Sequence, residues 1–137
     1  ELSIHDPVKT SAQAAQARGT RLEEGAKSLV CKPASGCLVM AVVPAHLRLS
    51  LKALKEALGE SNVALASPEE VLAATGLVIG SIPPFGTIWD LPVLVDKALL
   101  GVDFVAFSAG SHTHSLRMPR KEWLRLVPHR LADITQS

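Results

Sequence analysis

The chain has 137 residues, 47% of them hydrophobic, and a formal net charge of +1, which is enough apolar material for one compact domain over 1–137 and too little length for two. No apolar run reaches the roughly 18 residues of a membrane span, and the first ten residues lack the basic-then-apolar pattern of a secretory signal. Cys31 and Cys37 alone make no disulfide framework, so the expected compartment is reducing and cytoplasmic.

Helices are marked by their ends. Thr10 and Gln13 form a T-x-x-Q box before an alanine-rich stretch that Gly19 stops. Strand-like runs follow at Ser28 to Lys32 and Cys37 to Val43, joined by Pro33-Ala34-Ser35-Gly36, whose composition is that of a hairpin turn. Ser50 precedes Leu51, Leu54 and Leu58, spaced for one helical face, and Gly59 ends that helix. Ser67-Pro68-Glu69-Glu70 is a capping box with proline at the first helical position, closed by Gly76. Further strand-like runs cover Leu77 to Ile79, Pro92 to Val95, Phe104 to Ser108, Ser115 to Met118 and Arg130 to Ile134. Asp96 caps a short turn through Leu100, and Pro119 opens a last helix carrying Trp123 and Leu124. An antiparallel opening with interspersed helices predicts an α+β domain, its mixed, mostly antiparallel sheet flanked by helices.

Three segments carry candidate chemistry. Lys27 opens a strand whose neighbours Leu29, Val30 and Cys31 look buried. A lysine there is ordinarily a surface residue; the alternative is an ammonium that holds a phosphate or a developing negative charge. Gly80-Ser81-Ile82-Pro83-Pro84-Phe85-Gly86 brackets two prolines with two glycines. It is either a stiff connection or a rigid curve of carbonyls suited to a hydroxyl, an ammonium or a water. In Ser108-Ala109-Gly110-Ser111-His112-Thr113-His114 small residues leave space at a strand end, and the two histidines would share a side if the backbone were extended.

No metal site is expected, because the histidines and cysteines lack the three or four ligands at recognisable spacings that zinc uses. The sequence has no G-x-S-x-G elbow, P-loop or G-x-G-x-x-G. Cys31 and Cys37 lie in apolar strand patterns and read as structural. From Phe104 onward the chain is basic, with Arg117, Arg120, Lys121, Arg125 and Arg130 against Glu122 and Asp133. That face could meet phosphate, and a solvated helix surface gives the same count.

The ordered set of Ala26-Lys27-Ser28-Leu29, Ala41-Val42-Val43-Pro44, Ser67-Pro68-Glu69-Glu70-Val71, Gly80-x-x-Pro83-Pro84-Phe85-Gly86, Leu91-Pro92-Val93 with Asp96, Phe107-Ser108-Ala109-Gly110-Ser111 and Ala132-Asp133-Ile134 resembles the YbaK/prolyl-tRNA-synthetase-associated family of editing domains over essentially the whole chain. The resemblance implies hydrolysis of mischarged tRNA(Pro), with alanine as the expected amino acid. Cysteine, or a non-catalytic tRNA- or synthetase-binding module that kept the fold, is the alternative. It implies a pocket between Lys27, which matches the family's functional lysine, and a G-x-x-x-P loop whose ends are Gly80 and Pro84. Gly110 and His112 fall in a G-x-H portion seen in alanine-directed members, with Ser108, Ala109 and Gly110 opening the pocket and His112 limiting its depth. It further implies no cofactor, substrate assistance by the terminal adenosine's own hydroxyl, the acceptor 3′ end of tRNA as partner, and prolyl-tRNA synthetase as a partner in cis or in trans.

Overall fold

The structure is a computed structural model that describes residues 2–4 and 22–136. The expected helix between Thr10 and Gly19 lies outside the described residues.

The hairpin forms as the turn chemistry predicts: β2 (Ala26–Pro33) pairs antiparallel with β3 (Val39–Pro44), and Gly36 takes the left-handed φ of 89° that closes the turn. Four short strands went unforeseen: β1 (Leu2–Ile4), β4 (Arg48–Leu49), β5 (Val63–Leu65) and β10 (Thr135–Gln136). Helix α1 (Leu51–Leu58) starts where Ser50 Oγ accepts from the Ala53 N–H, and Gly59 ends it in the left-handed region. After β5 (Val63–Leu65), helix α2 (Pro68–Thr75) begins with the reciprocal Ser67–Glu70 capping box. The chain then continues through β6 (Val93–Asp96), β7 (Phe104–Ser108), β8 (His114–Pro119), α3 (Arg120–Leu126), β9 (Arg130–Ala132) and β10 (Thr135–Gln136).

The run Leu77 to Ile79 is not a strand. It is a bend directly after α2, with Val78 and Ile79 exposed and Ser81 turning back onto the Val78 carbonyl. Three apolar residues are too short a run to separate a strand from a helix exit. The expected strand from Arg130 to Ile134 stops at Ala132. Asp96 accepts from the Ile134 N–H at 2.8 Å and the Thr135 hydroxyl at 3.2 Å, leaving β9 and β10 on either side of that anchor.

A five-stranded mixed sheet runs β5-β2-β3-β6-β9, antiparallel over its first three strands and parallel from β3 onward. A three-stranded antiparallel sheet, β1-β8-β7, joins it through a bridge between Gly25 and Ala106. Strand alternation distributes the core to both faces of the larger sheet. Met40, Val42, Val93 and Val95 point toward Phe107, Trp123 and Val71, whereas Ala41, Val43 and Leu94 point toward Leu54 and Ile134. β3 is buried along its whole length.

One consequence of the register positions the site. β5 covers only Cys31–Pro33 of β2, so Lys27 to Leu29 have a partner strand on the β3 side alone among the described residues. No described helix is long and apolar enough to cross a membrane.

Candidate active site

Lys27 and Ser28 are adjacent in sequence and open onto opposite faces of β2 at this uncovered edge. Lys27 is half-buried beside an open groove of about 560 Å³. Burial, and then the nearby Arg48 guanidinium, push its ammonium pKa below the usual lysine value.

Ser28 lines a smaller cavity of about 70 Å³ with Val30, Ala66, Val71, Gly80 and Ile82. Its side chain is buried, and its hydroxyl has no hydrogen-bond partner among the described residues. A buried, unpaired hydroxyl costs about 1–3 kcal/mol. Leu29 and Leu65 border both the groove and the cavity. Lys27 and the glycine-proline loop therefore do not share one cavity. They meet across the rim that these two leucines form.

The loop is held by its own backbone and by distant side chains. The carbonyls of Ile79, Ser81, Pro83 and Pro84 accept from His112 Nε2, the Gly110 N–H, the Phe85 N–H and Trp123 Nε1 at 2.8–2.9 Å. Those of Gly80 and Ile82 are left without a donor among the described residues. The curve of free carbonyls expected from sequence is thus narrowed to two. Buried Trp123 and the edge-on contact of Phe85 with Phe107, 5.7 Å between ring centres, tie the loop to the core.

The glycines are required for different reasons. Gly80 has φ +86°, and a Cβ there would meet His112 Nε2 at 3.1 Å. Gly86 has no room: a Cβ would stand 2.5 Å from Val93 Cγ2 and 2.6 Å from the Leu91 carbonyl oxygen.

The second loop approaches the first without lining the cavity. Ser108, at the end of β7, pairs with Ser115. Gly110 donates to Ser81, and exposed His112 lies over Gly80 and the Ile79 carbonyl. The histidines do not share a side. His112 sits in a turn, while His114 opens β8 and hydrogen-bonds with Ser111 Oγ at 2.6 Å. No group of three or more His, Cys, Asp or Glu among the described residues is placed to hold a metal ion. Cys31 is buried with its thiol pushed up to about 12 by desolvation, which suits a structural cysteine, whereas Cys37, expected in a strand, is exposed in the loop before β3.

Sequence reasoning missed Ser28 as a cavity hydroxyl, Trp123 as the loop's anchor, and Arg48 and Lys52, which stand beside Lys27 in the groove. The polar Ser28 within an apolar strand was a signal in plain view. The convergence of Arg48 with Lys27 required knowing that β4 folds back onto β10.

A mixed α+β scaffold carrying a small cavity behind a glycine-proline loop, beside a basic groove, suits a hydrolase that holds a small acyl group on a nucleic acid. Residues 5–126 match the aminoacyl-tRNA editing domain family, and the chain belongs to that family.

Among its relatives is the multifunctional Ser/Thr-tRNA deacylase ProXp-y of Escherichia coli K12, 33% identical over 97% of this chain and 82% of that protein. A proline–tRNA ligase of Acidithiobacillus ferrooxidans is 31% identical over 88% of this chain, which spans only 21% of the ligase. A crystal structure of a candidate trans-editing enzyme for prolyl-tRNA synthetase superimposes with a TM-score of 0.90. It is 31% identical and covers 100% of this chain and 87% of that one.

Proposed function

We propose that residues 1–137 form one cytoplasmic editing domain that hydrolyses the ester of tRNA(Pro) mischarged with a small amino acid, alanine first. The observation that carries this reading is the cavity of about 70 Å³ between Ser28, Gly80 and Ile82, which suits a methyl-sized side chain better than a ring. An aminoacyl ester is already activated, so positioning and a charge partner supply most of what the reaction needs. Water adds to the ester carbonyl, the acyl C–O bond breaks, and the products are the free amino acid and the terminal ribose hydroxyl of the tRNA. The ribose's neighbouring hydroxyl, held by the substrate itself, orients the attacking water. The open carbonyls of Gly80 and Ile82 are acceptors for the amino acid's ammonium or for that water. Lys27 holds phosphate at the groove end rather than acting as a base.

A second reading, serine as a substrate alongside alanine, is favoured by the unpaired Ser28 hydroxyl and by the Ser/Thr-tRNA deacylase relative. A serine side chain would satisfy that hydroxyl, whereas the thiol of a cysteinyl ester is a weaker partner. Prolyl-tRNA synthetase is the partner this reading implies, in cis or in trans. The test is deacylation of alanyl, seryl, cysteinyl and prolyl esters on one tRNA(Pro). Removal of the alanyl or seryl ester with the prolyl ester spared is expected, and a panel left intact would refute the reading.

A further inference from the structure

The groove beside Lys27 gathers three cations. Lys27, Arg48 and Lys52 line it, and among the described residues no acidic one does. Four other cations among the described residues stand against carboxylates: Lys32 with Glu70, Lys97 with Asp133, Arg117 with Glu24 and Arg125 with Glu122. None of the three groove cations makes an ion pair among the described residues. Lys27 is half-buried next to Arg48, and burial first and the Arg48 charge second lower its ammonium pKa.

The N-terminus of α1 faces the same space through Ser50, Leu51 and Lys52. Its first turn carries no acidic side chain, unlike that of α2 with Glu69 and Glu70. The positive end of its dipole is therefore also left for an outside anion. Between the charges, Leu29, Leu49 and Leu65 supply aliphatic surface. Alternating cations and apolar side chains match the phosphates of a single strand and the faces of its riboses and bases.

We propose that this groove is the track for the single-stranded 3′ end of the tRNA, with Arg48 and Lys52 holding the phosphodiesters that precede the terminal nucleotide and Lys27 the one nearest the ester. The strand then passes over the Leu29–Leu65 rim, where the aminoacyl group enters the cavity on the other face of β2. The inference deepens the deacylase reading and rests on it for the identity of the RNA. It also places the RNA away from Arg117 and Arg125, which pair with carboxylates, and from Arg120, which donates to the Val102 carbonyl.

The test is fluorescence anisotropy of an uncharged RNA hairpin ending in a single-stranded CCA, titrated with the full chain over a range of salt. The variants are Arg48→Gln/Lys52→Gln and, as an equal-charge control outside the groove, Lys97→Gln/Lys121→Gln, each checked for wild-type thermal unfolding. The groove double variant is expected to weaken binding about 10-fold and to flatten the logarithmic salt slope by roughly 1.4, since single strands contribute about 0.7 per phosphate contact. On charged RNA it should raise KM by a similar factor and leave kcat within about twofold, because the cavity is untouched. Equal weakening by the control pair, or wild-type binding by the groove pair, overturns the proposal. Loss of binding in a protein that hydrolyses none of the charged RNAs would retain the groove and refute the deacylase reading. Normal deacylation with no groove effect would do the reverse.

Discussion

Replacing Ser28 by alanine removes one oxygen from a buried position where it finds no partner among the described residues. In most proteins deletion of a buried hydroxyl breaks a hydrogen bond and destabilises. Here the desolvation penalty of an unpaired group, about 1–3 kcal/mol, is relieved, while the small void left behind offsets a few tenths of that. The net expectation is stabilisation by about 1 kcal/mol, which in a chain of this size raises Tm by about 3–5 °C. On the proposed reading the same oxygen is the polar contact offered to a substrate side chain, and one neutral hydrogen bond is worth about 0.5–1.5 kcal/mol. Ser28→Ala should therefore slow seryl-ester hydrolysis by about 2- to 10-fold and leave the alanyl rate nearly unchanged. Thermal unfolding followed by circular dichroism reads the first effect, and paired seryl and alanyl deacylation reads the second. A Tm lowered by several degrees would mean that the hydroxyl is satisfied in the folded protein. Equal loss on both esters would mean that Ser28 does not discriminate between side chains.

Gly86→Ala must displace Val93 or the Leu91 backbone, so it should destabilise by about 2–3 kcal/mol; urea midpoints would measure this, and an unchanged midpoint would contradict the close packing. Lys27→Ala should unfold like the wild type and lose most deacylase activity. Because the ammonium pKa is lowered, the Lys27-dependent share of RNA affinity should fall off with rising pH earlier than an exposed lysine would allow, and the variant should show no such step. His112→Ala frees the Ile79 carbonyl and the space over Gly80. It should admit bulkier esters, including prolyl, more than it slows alanyl removal, and an unchanged order of preference on the four-ester panel would show that His112 is not a gate.

Local chemistry made much of this fold legible. Ser50 and Gly59, the Ser67–Glu70 box, the Gly36 turn and Asp96 act on neighbours within a few residues, so their effect can be read along the chain. The features that escaped are those decided by distant partners. β4 is two residues long and exists because Thr135 and Gln136 return to it. Leu77 to Ile79 has strand-like composition, yet Ser81 and His112 claim its carbonyls and turn it into the approach to the loop. For the site, the glycines and Lys27 were visible as residue types. The separation of Lys27 from Gly80 by the thickness of β2 was not, because two adjacent positions on a strand always face opposite ways while their shared edge depends on where β5 ends.

That edge gives the arrangement its physical logic. A nucleic-acid end needs charge and open space, whereas a small acyl group needs an enclosed, mostly apolar cavity, and one surface cannot supply both at the same point. Ending β5 at Leu65 leaves β2 free to offer Lys27 to one face and Ser28 to the other, with Leu29 as the rim between them. The cavity wall is completed from the smaller sheet's side, where the Gly110 bond to Ser81 and the His112 bond to Ile79 fix the loop. If, as proposed, selectivity resides in the loop contacts and RNA affinity in the groove, substitutions in the two places should act independently unless they move Leu29 or Leu65.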